Sequence, residues 1–297
     1  MRGGALSERS ASFLGGLIAD TNPGFQVGLG YRRALHQELM EAPVDLLDFV
    51  ELAPENYLGL GGEWRRRLTV ISEKWPVITH GLALSLGGRD SLDEALIDGV
   101  AEFVETVGSP WHSDHLCVGR AHGQHTHELL PIEMTRARAI EVAARVRDVA
   151  SNLSVPMAVE NISAYGRWPT DELEEADFVA EVVERADCAL LLDVNNILVN
   201  ATNFQQDPLE ILSRMPVERA VQIHVAGFEA RDSGLLIDTH GSPVDEGVWP
   251  LLEAALERSG PIPVLLERDN DIPALDELAG EIATIRSIGA RVFGGDR

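Results

Sequence analysis

Carboxylates and imidazoles recur along this chain at intervals of one structural unit. Glu51, His80, His115, Glu160, Asp193, His224 and Glu267 are separated by 29, 35, 45, 33, 31 and 43 residues, and Asp114 and Asn161 adjoin two of them. Two loop strings add donors, Asp193-Val194-Asn195-Asn196 and Asp238-Thr239-His240. The offset of three lets Asp193 and Asn196 face one point where a helix starts. Residues two apart in an extended loop project to the same side, so Asp238 and His240 can reach one ion. Such side chains seldom sit in a core unless paired or metal-bound. A set of histidines, carboxylates and an amide, without cysteine, excludes a structural zinc site or an iron–sulfur cluster. It holds too many histidines for calcium or magnesium alone. Iron, manganese and zinc remain. The donors outnumber what one ion takes, so two or three ions bridged by carboxylates are expected, with Glu160, Asp193 and Asp238 as bridging candidates.

Each residue also has a plainer reading. His224 alone reads as a hydrogen-bonded core histidine. Glu267 with Arg268 and Asp269 reads as a local ion-pair network. His112, His122, His125 and His127 read as solvated or substrate-side residues of a polar loop, and His36 as a surface residue. The joint recurrence carries the metal reading, because unrelated accidents do not place His80, His115 and His224 at the same end of successive strands.

The elements that must position these residues are legible as short apolar runs. They fall at 26–30, 47–52, 77–80, 111–116, 157–161, 189–194, 220–225 and 263–267. Gly28, Gly30 and the polar string His112-Ser113-Asp114-His115 interrupt two of them. Helical periodicity fills the intervals at 91–107, 135–151, 171–185, 208–213, 246–258 and 274–287. The first of these opens on Ser91-x-x-Glu94, a capping-box pattern. Eight strands alternating with helices predict an α/β chain folded as a single (β/α)8 TIM barrel over 25–290, with an N-terminal arm at 1–24 and a C-terminal tail at 291–297. Seven of the eight runs end in a carboxylate or an imidazole, at the barrel end where active sites lie. A doubly wound open sheet is the alternative, and the chain lacks the GxGxxG string that would favour it.

Composition narrows the function classes. The 297 residues carry 48 acidic and 24 basic side chains, a net charge of −24, which repels nucleic acid and anionic membranes. No apolar run is long enough for a membrane span, and no secretory signal is evident. Lys74 is the single lysine, so Schiff-base chemistry rests on it alone and a P-loop is absent. Cys117 and Cys188 have no CxxC spacing and flank apolar runs, which predicts reduced core thiols and a cytoplasmic protein.

Eight ordered strings carry a family resemblance. They are Phe49-Val50-Glu51-Leu52-Ala53-Pro54-Glu55-Asn56-Tyr57, His80-Gly81-Leu82-Ala83-Leu84-Ser85-Leu86-Gly87, Ser113-Asp114-His115-Leu116 and Val159-Glu160-Asn161. The others are Leu192-Asp193-Val194-Asn195-Asn196, Gln222-Ile223-His224-Val225-Ala226-Gly227, Asp238-Thr239-His240-Gly241 and Leu266-Glu267-Arg268-Asp269. Over about residues 25–285 the chain resembles the multinuclear non-heme iron-dependent oxidative enzymes, the family that includes the methanobactin biosynthesis enzyme. The resemblance implies a barrel holding two to three irons of mixed Fe(II)/Fe(III) valence, with dioxygen as co-substrate. It implies oxidation of a side chain, often cysteine, of a ribosomally made precursor peptide, which a small partner protein often presents. Carried over by motif, His80, His115, Glu160, Asp193, Asn196, His224, Asp238, His240 and Glu267 are the implied ligands. Asp114 is implied either to support the ligands from behind or to handle protons. Competing readings are a metal-dependent sugar isomerase or phosphodiesterase on the same barrel, and a non-catalytic iron-binding protein.

Overall fold

A computed structural model describes residues 24–294. Its strands are β1 (Val27–Gly30), β2 (Phe49–Leu52), β3 (Val77–Gly81), β4 (His112–His115), β5 (Val118–Ala121), β6 (Gln124–Leu130), β7 (Met157–Glu160), β8 (Ala189–Asp193), β9 (Ala220–Val225), β10 (Glu229–Ala230), β11 (Leu236–Ile237) and β12 (Val264–Leu266). Its α-helices are α1 (His36–Glu41), α2 (Glu63–Lys74), α3 (Glu94–Val107), α4 (Arg136–Ala150), α5 (Glu175–Ala186), α6 (Val194–Phe204), α7 (Pro208–Arg214), α8 (Val248–Ser259) and α9 (Leu275–Phe293). Eight strands close a barrel in the order β1-β2-β3-β4-β7-β8-β9-β12, with β12 returning to β1. Every pair in it is parallel. The TIM-barrel expectation is therefore met, and all eight predicted runs supply a barrel strand.

Side chains alternate across each strand, so the barrel has an inside and an outside. Phe49, Ile78, Trp111, Ala158, Ala189, Leu191, Val221 and Leu265 pack together as its floor. A larger apolar shell joins the opposite strand faces to the helices. The glycines that interrupt β1 have a steric cause. A Cβ at Gly28 would stand 2.4 Å from the Phe49 ring, so the missing side chain is the room Phe49 occupies.

Several local expectations change. Helix α3 begins at Glu94 and is capped by Asp93, whose carboxylate accepts from Leu96 N at 3.2 Å, rather than by a box from Ser91. Helix α5 begins at Glu175, because the Asp171 carboxylate accepts from Trp168 N and Met134 N and closes a turn before it. The polar loop after β4 is a hairpin, β5 against β6. The helix over Glu63–Lys74 carries too many charges to read as amphipathic from its pattern. Helix α9 runs to Phe293, so 291–293 are helical rather than a tail. Residues 1–23 of the expected arm and 295–297 of the tail lie outside the described residues. Among the described residues no helix is long and apolar enough to cross a membrane.

Candidate metal centre

Register sets the level of the functional side chains. His115 lies opposite Glu160 on the β4–β7 pair, and Asp193 opposite His224 on β8–β9. His80 pairs with Ser113 on β3–β4. These residues are buried at the C-terminal ends of their strands, above the apolar floor. Lys74 sits at the opposite rim, where its Nζ donates to the carbonyls of Leu39, Met40 and Ala42 at the end of α1.

Three groups of donor atoms form, each compact enough to hold one ion: His80, His115 and Glu160; Glu160, Asp193, His224 and Glu267; and His240, Glu267 and Asp269. Glu160 belongs to the first two groups and Glu267 to the last two, so two carboxylates link all three. In the first group His80 Nε2 stands 3.2 Å from His115 Nε2, and Glu160 Oε2 is 3.1 Å from each. Donors bound at about 2.1 Å to a tetrahedral or octahedral ion stand about 3.0–3.4 Å apart. In the second, His224 Nδ1 lies 3.3 Å from Glu160 Oε1 and 3.1 Å from Glu267 Oε2. In the third, His240 Nδ1 is 3.4 Å from both Glu267 Oε2 and Asp269 Oδ2.

Several atoms aimed into this region lack hydrogen bonds. Glu160 Oε2, Asp193 Oδ2, Asn196 Oδ1 and His224 Nδ1 are buried without a hydrogen-bond partner. Orphaned polar atoms cost about 1–3 kcal/mol each unless something satisfies them, and a cation does so for carboxylate, amide oxygen and imidazole alike. The donor set therefore fits a group of metal ions.

Behind the donors stands a second set of contacts that fixes ring orientation. His80 Nδ1 faces Ser113 Oγ at 2.9 Å. His224 Nε2 faces Glu51 Oε2 at 3.1 Å; Gln222 Nε2 donates to that oxygen at 2.6 Å, and Trp111 Nε1 donates to Gln222 Oε1 at 3.2 Å. A carboxylate behind a histidine fixes which nitrogen is left to bind metal. In this barrel the chain of contacts runs from the floor to His224. Asp193 does two things, because one carboxylate oxygen caps α6 by accepting from Asn196 N at 2.7 Å while the other stays free.

Electrostatics follow from this crowding. Burial pushes the Glu160 carboxyl up, but His115 and His80 outweigh it and hold Glu160 below the ordinary carboxylate range. His80 is raised to about 9, the Glu160 charge outweighing burial, whereas burial dominates at His115 and lowers it to about 4. Asp193 rises well above its ordinary value through burial, reinforced by Glu160. His224 and His240 also rise, as Glu51 and Asp238 respectively lead the carboxylates that overcome burial.

Of the residues expected to bind metal, His80, His115, Glu160, Asp193, His224, His240 and Glu267 fall in the three groups. Asp238 does not, whereas the Asn196 amide brings a buried Oδ1 without a hydrogen-bond partner. Asn196 stands beside Asp193, with its Nδ2 donating to Asn161 O. Asp238 lies behind His240, its Oδ1 2.7 Å from His240 Nε2 and 2.9 Å from Asn195 Nδ2. Of the bridging candidates only Glu160 is shared between groups, and Glu267 takes the other shared place. Asp114 faces the other way from its neighbours Ser113 and His115. It accepts from Leu84 N and His115 N, and burial with Glu55 nearby pushes its carboxyl up to about 7. Its Oδ1 also lies 3.9 Å from His115 Nδ1, so Asp114 stands behind a donor ring.

His112 is a further correction. It is fully buried on the outer face of β4, with Nδ1 against Thr79 Oγ1 at 3.1 Å, while His122, His125 and His127 are exposed on the hairpin. Asp269 is readable from the sequence only as an ion-pair residue. It does form an ion pair, with Arg32 rather than Arg268, and it joins the third group. The rule of two that links Asp238 and His240 also links Glu267 and Asp269, and would have found it.

Fold and site together define a TIM-barrel protein with a centre of histidines and carboxylates at its C-terminal mouth. The chain belongs to the RiPP precursor modification enzyme family MbnB/TglH/ChrH, whose sequence profile matches residues 26–290. That membership implies metal use and a ribosomally made peptide as substrate. A UPF0276 protein of Pseudomonas aeruginosa is 44% identical over 264 residues, covering 89% of this chain and 92% of its own. A UPF0276 protein of Shewanella oneidensis is 40% identical, with 89% and 94% covered. Among solved structures, a xylose isomerase domain protein from Planctomyces limnophilus is similar with a TM-score of 0.58 at 15% identity, covering 91% of this chain and 99% of that one. Endonuclease IV from Thermus thermophilus is similar with a TM-score of 0.55 at 18% identity, covering 89% and 98%. At these identities the structural likeness concerns the fold alone.

Proposed function

We propose that this protein is an iron- and dioxygen-dependent oxidase that modifies a side chain, cysteine foremost, of a ribosomally made precursor peptide. The observation that carries the reading is the chain of three donor groups linked through Glu160 and Glu267. His80, His115 and Glu160 would hold one ion. Glu160, Asp193, His224 and Glu267 would hold a second, with the Asn196 amide oxygen beside Asp193. His240, Glu267 and Asp269 would hold a third, with Asp238 behind the ring. Iron bound there would supply dioxygen activation and a seat for a substrate thiolate.

The chain's own residues would do the rest. Trp111, Leu191 and Leu265 exclude water from below the donors. Glu51 and Ser113 fix the rings of His224 and His80. Leu82, Tyr165 and Trp168, each about half exposed, lie on loops that follow β3 and β7 and offer apolar surface to a peptide. Tyr165 also accepts from Asp238 N at 3.0 Å, which ties that surface to the third group. Cys117 and Cys188 are free and buried, which supports the reducing cytoplasm as the place of action. A small partner protein that presents the peptide is part of the same reading.

The test is substitution with metal content as the readout. Glu160→Ala and His224→Ala are expected to lose iron, since each deletes a donor of the second group and Glu160 also links it to the first. Full iron content in both folded variants would refute the proposal.

A further inference from the structure

β1 is the one barrel strand whose end carries neither a carboxylate nor an imidazole. It ends at Gly30, and two residues on stands Arg32, a partly buried cation whose side chain is 26% exposed. Its Nη2 is 3.1 Å from Glu267 Oε1. Its Nε donates to Asp269 Oδ1 at 2.9 Å, and Nη2 contacts that oxygen as well. Nη1 donates to Tyr31 O at 3.2 Å. The two carboxylates are thereby divided in the same way. Glu267 gives Oε1 to Arg32 and turns Oε2 to His224 and His240; Asp269 gives Oδ1 to Arg32 and turns Oδ2 to His240. Gly30 makes room for this, because a Cβ there would stand 3.1 Å from Arg32 Nη1.

We propose that Arg32 is a positioning residue that limits the third metal position: its guanidinium reserves one oxygen each of Glu267 and Asp269 and keeps that position the weakest of the three. The inference rests on the metal centre proposed above. Two physical effects oppose each other. Orienting the carboxylates favours the ion, and such outer contacts are worth about ten- to hundredfold in metal affinity. A guanidinium one carboxylate away repels a dication, and at this partly exposed position, with Asp269 40% exposed, solvent weakens that repulsion without cancelling it, so that it still exceeds the gain from orientation. The charge therefore wins. Arg32 already neutralises the carboxylates an incoming ion needs, and it blocks both from binding through two oxygens.

Anaerobic Mn(II) titration of the full chain tests this, with free Mn(II) read by its electron paramagnetic resonance signal. In the wild type the first ions bind tightly and a last one weakly. Arg32→Met removes the charge, and its last step tightens by about tenfold or more. Arg32→Lys keeps the charge without the fork, so its last step is no tighter than in the wild type. An unchanged or weaker last step in folded Arg32→Met, or a tighter one in Arg32→Lys, overturns the inference. Should Arg32→Met fail to fold, Arg32→Gln is judged by the same rule. A wild type that binds no Mn(II) and no Fe(II) at all defeats the metal centre itself, a result distinct from either.

Discussion

At the scale of single residues, the site depends on contacts behind the donors as much as on the donors. Glu51 touches no donor group of its own but faces His224 Nε2 and receives the Gln222 amide. Glu51→Gln keeps the shape and removes the charge that fixes the His224 ring. We expect iron affinity to fall by about ten- to hundredfold with the fold intact, measured by chelator competition and circular dichroism. Glu175 gives a second test, away from the centre. Its Oε2 accepts from Asn200 Nδ2 at 2.8 Å, its Oε1 has no partner, and burial pushes the carboxyl up to about 7. A raised folded value means that folding favours the protonated acid. That stabilisation is full below the ordinary value of 4.5 and is lost as pH rises through about 7. Glu175→Gln retains an acceptor for Asn200 and removes the charge. Urea unfolding should find the variant about 2 kcal/mol more stable than the wild type at pH 8, a figure discounted for residual solvent contact. At pH 4 the two should match, and an equal difference at both pH values would contradict the account.

At the scale of elements, the barrel depends on a few steric fits. Gly28 makes way for Phe49, so Gly28→Ala forces the ring out of the floor and should cost about 1–3 kcal/mol in urea unfolding. A variant as stable as the wild type would show that the floor tolerates a methyl there. The strands were legible because seven of the eight apolar runs end in a carboxylate or an imidazole, and the donors were legible because they recur once per unit. What escaped has physical reasons. The hairpin β5–β6 is exposed along most of β6, so no apolar alternation marks it. Helix α2 opens with Glu63-Trp64-Arg65-Arg66-Arg67, and its ion pairs rather than a core face organise its first turns. His112 looked solvated among polar neighbours, but strand alternation turns it into the shell while His115 points inward. Arg32 escaped because it lies beyond the one strand whose end carries neither a carboxylate nor an imidazole, and only closure of β12 onto β1 brings it to Glu267 and Asp269.

At the scale of the whole molecule, folding gathers acid at one end of an already acidic chain of net charge −24. Glu51, Glu160, Asp193 and Glu267 are buried together with three histidines in support. Cations that bind only the folded form stabilise it by mass action, about 2.7 kcal/mol for each site at a hundredfold excess over its dissociation constant. Thermal unfolding should therefore rise with added Fe(II) under anaerobic conditions and fall back with a chelator, whereas a melting temperature indifferent to both would mean that folding does not build the site. The most direct test of the central claim is metal content by mass spectrometry on protein purified without oxygen, joined to Mössbauer spectroscopy. The account predicts about two to three iron ions per chain with coupled ferrous and ferric signals. Zinc or manganese with no iron, even after anaerobic iron loading, would contradict it.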